Sequence, residues 1–249
     1  MPAVYKAFNE LNDPNGQNDP NMKILALDTA TSSCSVAIMD NGVVRAELTS
    51  APNQTHSKHL VTMIDTVCGI CRLEIAAMDG FAVTLGPGSF TGLRIGISTI
   101  KALAWSLKKP VVGISSLDAL AWQSIPGPYP ICTLLDARKQ EVYCCRYHYE
   151  NGELKKDGPE QVLALADAIS EIRKPCLFVG NGAALYQKEI IDALGALAHF
   201  AGRNHDSIRA SAVAGLSLNR FMQDQADDVA LLIPHYIRKS DAVLHRKKG

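Results

Sequence analysis

The stretch Asp28-Thr29-Ala30-Thr31-Ser32-Ser33 directly follows the short apolar run Lys23–Leu27 and packs a carboxylate and several hydroxyls into one turn. A carboxylate in such a turn can organise a metal ion or a water. Hydroxyls and backbone N–H groups can meet phosphate oxygens. Asp28, Thr29, Thr31 and Ser32 are therefore candidate nucleotide-binding residues. The glycine common in phosphate turns is missing, and Ser and Thr in a hairpin also bond their own backbone. A purely structural turn is the competing reading.

A second candidate is TLGPGSFTGLRIG, residues 84–96. Gly86-Pro87-Gly88 ahead of a helix start could aim N–H groups at an anion, but Pro87 removes one donor. Glycines at 86, 88 and 92 match neither the GxGxxG dinucleotide spacing nor a P-loop, and no Lys-Ser or Lys-Thr follows. Gly92 and Gly96, one helical turn apart, leave a shallow face that another element can approach closely. Their spacing favours packing over phosphate.

His56 and His59 stand at i, i+3 without the glutamate of HExxH or a third ligand nearby, and read as polar helix-surface residues. Cys68-Gly-Ile-Cys71 has redox or half-zinc spacing, but no second pair completes four ligands and no thioredoxin-like pattern surrounds it. No metal site and no catalytic residue is expected. The seven cysteines read as thiols of a reducing compartment, the cytoplasm.

These candidates need elements to hold them. Lys23–Leu27 and Cys34–Met39 read as strands, Asp40-Asn41-Gly42 as a hairpin turn and Val43–Leu48 as a third strand. A helix opens near Asn53 and carries Leu60, Ile64, Val67 and Cys71 on one face, and Gly80–Leu85 is a fourth strand. From about Ser89, Leu93, Ile97, Ile100, Ala104 and Leu107 recur at helical intervals until Pro110 ends the pattern.

The same order recurs after Pro126-Gly127-Pro128. Ile131–Leu135 ends at Asp136 as the first strand ends at Asp28, and Asn151-Gly152 marks a turn. Val162, Leu165, Ile169 and Ile172 read as a helix, Cys176–Val179 as a strand, and Ala183–Leu194 as a last helix after Gly180-Asn181-Gly182. The pattern predicts an α/β chain of two lobes, each with a mixed sheet of βββαβα order, as in the actin, Hsp70 and sugar-kinase (ASKHA) fold, where nucleotide binds between the lobes. Residues 22–127 would form the first lobe and 128–249 the second, with a helix over 209–225 that could pack back on the first. Residues 1–21, rich in Asn, Asp and Pro, read as a disordered extension or tag ahead of Met22.

Composition narrows the partners. Hydrophobic residues make up 47% of the 249 and charged residues 20%, with 25 basic against 25 acidic side chains. That is a globular chain without a global basic field for nucleic acid, and no apolar run approaches a membrane span. The basic tail, Arg238-Lys239 and Arg246-Lys247-Lys248, reads as a solvated end.

The runs ILALDTATSSCSVAI, HSKHL and TLGPGSFTGLRIGISTIKALAWSLKKPVVGISSLDALA resemble the bacterial TsaB family, also called YeaZ, closely over Met22 to about Gln123 and loosely beyond. PHYIRKSDA is similar to that family's closing Pro-x-Tyr-x-Arg segment. The resemblance implies the two-lobed fold and a cytoplasmic role beside TsaD and the ATPase TsaE, which place threonylcarbamoyl on the adenosine next to the anticodon of tRNA. It further implies a non-catalytic subunit that pairs with a TsaD-like catalytic chain, or with itself when that partner is absent. Such a subunit meets tRNA only through the complex and leaves ATP and metal to its partners.

Where TsaD-like chains carry metal-binding histidines after the matching Lys-Ala-Leu-Ala and Pro110, this sequence reads Gly113-Ile-Ser-Ser-Leu-Asp-Ala-Leu120. Hydroxyl and leucine side chains do not replace imidazole as ligands. The family's dimer surface maps to the helices near 53–71 and 89–107. It places His56, Leu60, Ile64, Val67, Gly92, Leu93, Gly96, Ile97, Ile100 and Ala104 at a partner interface. The rival function is an ATP-dependent phosphotransferase of the sugar-kinase type, using the Asp28 turn for phosphate and Asp136 as metal organiser or base. An RNA-binding module using the basic tail is a further alternative.

Overall fold

A computed structural model describes residues 22–50, 56–125, 127–150 and 153–238, with the side chains of 56–58 outside that description. The 1–21 extension, the predicted Asn151-Gly152 turn and most of the basic tail therefore lie outside the described residues. So do the helix start near Asn53 and the side chain of His56.

The first sheet has the order β3-β2-β1-β4-β5, from β1 (Lys23–Asp28), β2 (Cys34–Asp40), β3 (Val43–Ser50), β4 (Gly80–Gly86) and β5 (Val111–Ser115). β1 pairs antiparallel with β2 and parallel with β4. The Asn41-Gly42 hairpin closes with both residues at positive φ, 52° and 74°, which the backbone twist of a tight two-residue turn requires. β1 is buried from Ile24 to Asp28. A strand sheltered along its whole length has helices over both faces. α1 (His56–Cys71) and α2 (Phe90–Leu107) pack on each other and on β1–β4, while α3 (Ser116–Trp122) joins the last helix on the other side. Ser89 caps α2 by accepting the Gly92 N–H, and Lys108 ends it at φ 54°; the left-handed residue and Pro110 together stop the helix.

The second sheet repeats the scheme as β11-β10-β6-β7-β8, with β6 (Ile131–Asp136), β7 (Glu141–Glu150), β8 (Glu153–Lys156), β10 (Cys176–Val179) and β11 (Ala198–Phe200). β6 holds the place of β1, antiparallel to β7 and parallel to β10. The two mixed sheets with their helices form a two-lobed α/β fold like that of actin, Hsp70 and the sugar kinases.

Two details depart from the sequence pattern. The helix expected from Val162 is shorter: Gln161–Ala164 forms β9, which pairs with β7 through Tyr143 and Val162, and only Leu165–Ile169 is helical, as α4. Apolar residues at 162, 165, 169 and 172 suit a helix, but a free edge on the ten-residue β7 offers ladder hydrogen bonds to the first of them. The helix expected over Ala183–Leu194 divides at Tyr186, whose φ and ψ of −106° and 22° separate α5 (Asn181–Leu185) from α6 (Gln187–Leu194).

α7 (Ala210–Met222) lies across β1, β2, β4 and β5 of the first sheet. Trp122 of α3 packs against Gly215, where an added methyl group would meet its ring. Ile131, Leu135, Tyr147 and Val179 of the second lobe belong to the same hydrophobic core as β1 and α2. No helix among the described residues is long and apolar enough to cross a membrane.

Candidate functional site

The Asp28 turn is closed by its own chain. Asp28 is fully buried; its Oδ1 accepts the Ala30 N–H at 3.1 Å and the Thr84 hydroxyl at 2.7 Å. Its Oδ2 is buried without a hydrogen-bond partner. Burial pushes the carboxyl up to about 7, and the bonds from Thr84 and Ala30 offset part of that rise. The Thr29 hydroxyl, also fully buried, donates to the Gly92 carbonyl at 2.8 Å. The Thr31 and Ser33 hydroxyls bond each other at 2.8 Å. Only Ser32 faces solvent.

The glycine motif is what fills the turn. Ser89 N–H donates to Ala30 O at 2.7 Å. A methyl group at Gly88 would overlap Ala30 O, one at Gly92 would overlap Thr29 O, and one at Gly96 would overlap Thr29 Oγ1. These glycines let the start of α2 lie directly on the turn, in the space a phosphate would need. The second lobe repeats the arrangement: Gly180 and Gly182 lie against Leu134 O, at the end of β6.

Asp136 occupies the matching place after β6. Its carboxylate accepts the Arg138 N–H at 2.8 Å and pairs with the Arg138 guanidinium at 3.4 Å, while its own N–H donates to Asn181 Oδ1 at 3.0 Å. Among the described residues no group of three or more His, Cys, Asp or Glu side chains is placed to hold a metal. Within Gly113–Leu120, the segment that stands where TsaD-like chains carry histidines, Ser116 is fully buried with its hydroxyl unpartnered and Leu120 is part of the core. Cys68 and Cys71 are both free thiols, raised from their ordinary value by burial first.

The helix pair turns its expected interface residues inward. Leu60, Ile64, Val67, Gly92, Leu93, Gly96, Ile97, Ile100 and Ala104 are all buried within the chain, against the sheet and the Asp28 turn. An apolar stripe marks the side of a helix that its own sheet covers, and the outward side must carry other residues. Here these are Val61 and Ile70 on α1, 68% and 63% exposed, and Phe90 and Trp105 on α2, 43% and 74% exposed. A groove of about 520 Å³ runs between the helices, with Leu60 and Val61 on one wall and Phe90, Arg94, Ile95 and Ser98 on the other. The Arg94 guanidinium lies 3.7 Å from the centre of the Phe90 ring, and its Nε donates to the Tyr236 hydroxyl at 3.1 Å. Tyr236 stacks on Phe90 at 5.2 Å. Sequence periodicity misses these residues, because Phe90 and Arg94 lie off the stripe and Tyr236 comes from the far end of the chain.

The family model for TsaD, tRNA N6-adenosine threonylcarbamoyltransferase, matches residues 44–245. The tRNA threonylcarbamoyladenosine biosynthesis protein TsaB of Bacillus subtilis is 32% identical over 224 residues, covering 89% of this chain and 96% of that one. The chain belongs to the TsaB (YeaZ) family. TsaB of Haemophilus influenzae is 33% identical over 179 residues, 68% of this chain and 75% of its own. The solved structure of YeaZ from Pseudomonas aeruginosa superposes with a TM-score of 0.74 at 26% identity, over 86% of this chain and 99% of that one. In this TsaB-family chain the shared fold joins a turn filled from within to an open apolar groove on the α1–α2 face.

Proposed function

We propose that the chain is a non-catalytic subunit of cytoplasmic tRNA threonylcarbamoyladenosine biosynthesis that docks a TsaD-like catalytic chain on the outward face of α1 and α2. The groove between those helices carries the reading: apolar side chains line it, a cation rims it, and Val61 and Phe90 of its walls stay exposed. In the absence of that partner a second copy would occupy the same face, and a TsaE-like ATPase and tRNA would be reached only through the complex. The phosphotransferase alternative needs the Asp28 turn open to phosphate, whereas Thr29 and Ala30 are covered by the start of α2.

Val61→Glu tests this, because Val61 is exposed and its replacement leaves the core intact. A carboxylate in an apolar interface is desolvated without a partner. Co-purification with the TsaD-like subunit should fall at least tenfold while the melting temperature of the free chain stays within about 2 °C. Undiminished binding would remove the helix face from the interface. A charged residue at Gly96 or Ile97 would be a poor test, since both are buried and the chain itself would lose stability.

A further inference from the structure

The segment after α7 does more than trail away from the fold. Asp227 bridges the edge of β5 through Val111 and accepts the Gly113 N–H at 2.7 Å. Lys101 of α2 then holds the carbonyls of Ala230 and Leu232 at 3.0 and 3.2 Å. His235 donates its N–H to Leu85 O at 2.7 Å, at the C-terminal end of β4. One residue further, Tyr236 meets Phe90 and Arg94 on the groove. Arg238 has by then crossed to the second lobe, where it donates to Ala137 O and pairs with Glu141.

What Arg238 grips is a strained turn. Arg138, Lys139 and Gln140 all have positive φ, 63°, 55° and 61°. Left-handed backbone is unfavourable for a non-glycine residue, so consecutive ones persist only where the surroundings hold them. The β6–β7 turn is held by Ala137 N–H to Glu141 O and Glu141 N–H to Arg138 O, both 3.0 Å, and Arg238 reaches both Ala137 and Glu141 from the C-terminal segment. Ligands of open α/β sheets sit in the crevice beyond the C-terminal strand ends. In this chain the strand ends of β4 and β6 are bridged by Pro234–Arg238.

We propose that Pro234–Arg238 is an inter-lobe clamp in which Arg238 is a positioning residue: by fixing the β6–β7 turn it holds Tyr236 against Phe90 and Arg94 and so sets the shape of the docking groove. The effect on docking rests on the helix-face reading above; the clamp itself does not. Removing a residue from a chain of packed and hydrogen-bonded groups that joins two sites changes their coupling by about two- to thirtyfold.

Hydrogen exchange on the full chain tests the clamp without any partner. Arg238→Ala should speed exchange at least tenfold at Ala137–Glu141, which it touches, and at Phe90–Arg94, which it reaches only through Tyr236, with the central strands β1 and β4 unchanged. A merely structural loss would raise exchange in those strands as well. Faster exchange at the turn alone, or at neither place, would overturn the clamp. Tyr236→Phe keeps the ring stack and removes the bond to Arg94. It should loosen Phe90–Arg94 and leave the turn protected, and it carries the test should Arg238→Ala fail to fold; protection unchanged at Phe90–Arg94 would count against the proposal. Binding of the TsaD-like subunit should weaken about tenfold in Arg238→Ala. Val61→Glu separates the two readings: normal binding by that variant sinks the helix-face docking site and leaves the exchange result standing.

Discussion

Replacing Gly96 with alanine asks whether the glycines of α2 serve close approach to the Asp28 turn. In an open helix the change would stabilise by about 0.5–1 kcal/mol, because alanine loses less backbone freedom. At Gly96 the new methyl group falls on Thr29 Oγ1, whose hydroxyl donates to Gly92 O. Overpacking costs about 1–3 kcal/mol, and displacing a buried hydrogen bond adds about 1–3 kcal/mol more. Set against the gain in helix propensity, these costs leave Gly96→Ala destabilising by about 1–5.5 kcal/mol overall. Thr29→Ala removes the atom in the way, so the double variant should recover at least about 1 kcal/mol relative to the sum of the single changes. Gly92→Ala meets the backbone oxygen of Thr29 instead, and Thr29→Ala should not rescue it. Gly69→Ala is the control: nothing lies within 4 Å, so it should stabilise by a few tenths to about 1 kcal/mol. Urea unfolding followed by circular dichroism, with the slope m unchanged between variants, reads all of these. Stabilisation by Gly96→Ala, or additivity with Thr29→Ala within about 0.3 kcal/mol, would refute the packing role.

Two further expectations concern buried polar atoms. Asp28 binds its proton more tightly folded than unfolded, about 7 against 3.8, so its contribution to stability is complete below about pH 4 and is lost as pH rises through about 7. Asp28→Asn should flatten the fall in unfolding free energy between pH 4 and 7 by up to several kcal/mol, and an unchanged slope in urea titrations at several pH values would contradict the buried carboxyl as its source. The Ser116 hydroxyl is buried with no partner. Ser116→Ala should accordingly be neutral or stabilising by up to about 1 kcal/mol, and a clear loss of melting temperature would show that the hydroxyl has a partner after all.

Much of the first lobe is legible in the sequence because its signals are local. A continuous apolar run, Asn-Gly in a hairpin and Ser89 before a periodic helix each report on the few residues around them. The α1–α2 face is different. Hydrophobic periodicity finds Leu60, Leu93 and Ile97 because the sheet buries them, and by the same logic it passes over Val61 and Arg94 on the opposite side. Val162 shows another limit: its spacing to Leu165 and Ile169 fits a helix, and only the free edge of β7 decides for a strand. The contacts of Tyr236 with Phe90 and Arg94 join the two ends of the chain, so no local pattern encodes them.

The sequence also leaves open whether residues 84–96 form a phosphate cradle, and the structure answers through spacing. Gly88, Gly92 and Gly96 are four residues apart and so share one side of the helix and its entry. Each is matched to a successive oxygen of the Thr29–Ala30 turn: Ala30 O, Thr29 O and Thr29 Oγ1. Two of the N–H groups at this helix start have partners inside the protein, Ser89 N–H on Ala30 O and Gly92 N–H on the Ser89 hydroxyl. The turn and the helix start thus bond each other in both directions, Ala30 O accepting from Ser89 N–H and the Thr29 hydroxyl donating to Gly92 O. The same register that brings the glycines onto the turn sends Phe90, Arg94 and Ser98, also four residues apart, to the outside of α2. One helical repeat therefore both fills the inner space and builds a wall of the outer groove, and a shift of register that reopened the turn would also bury that wall.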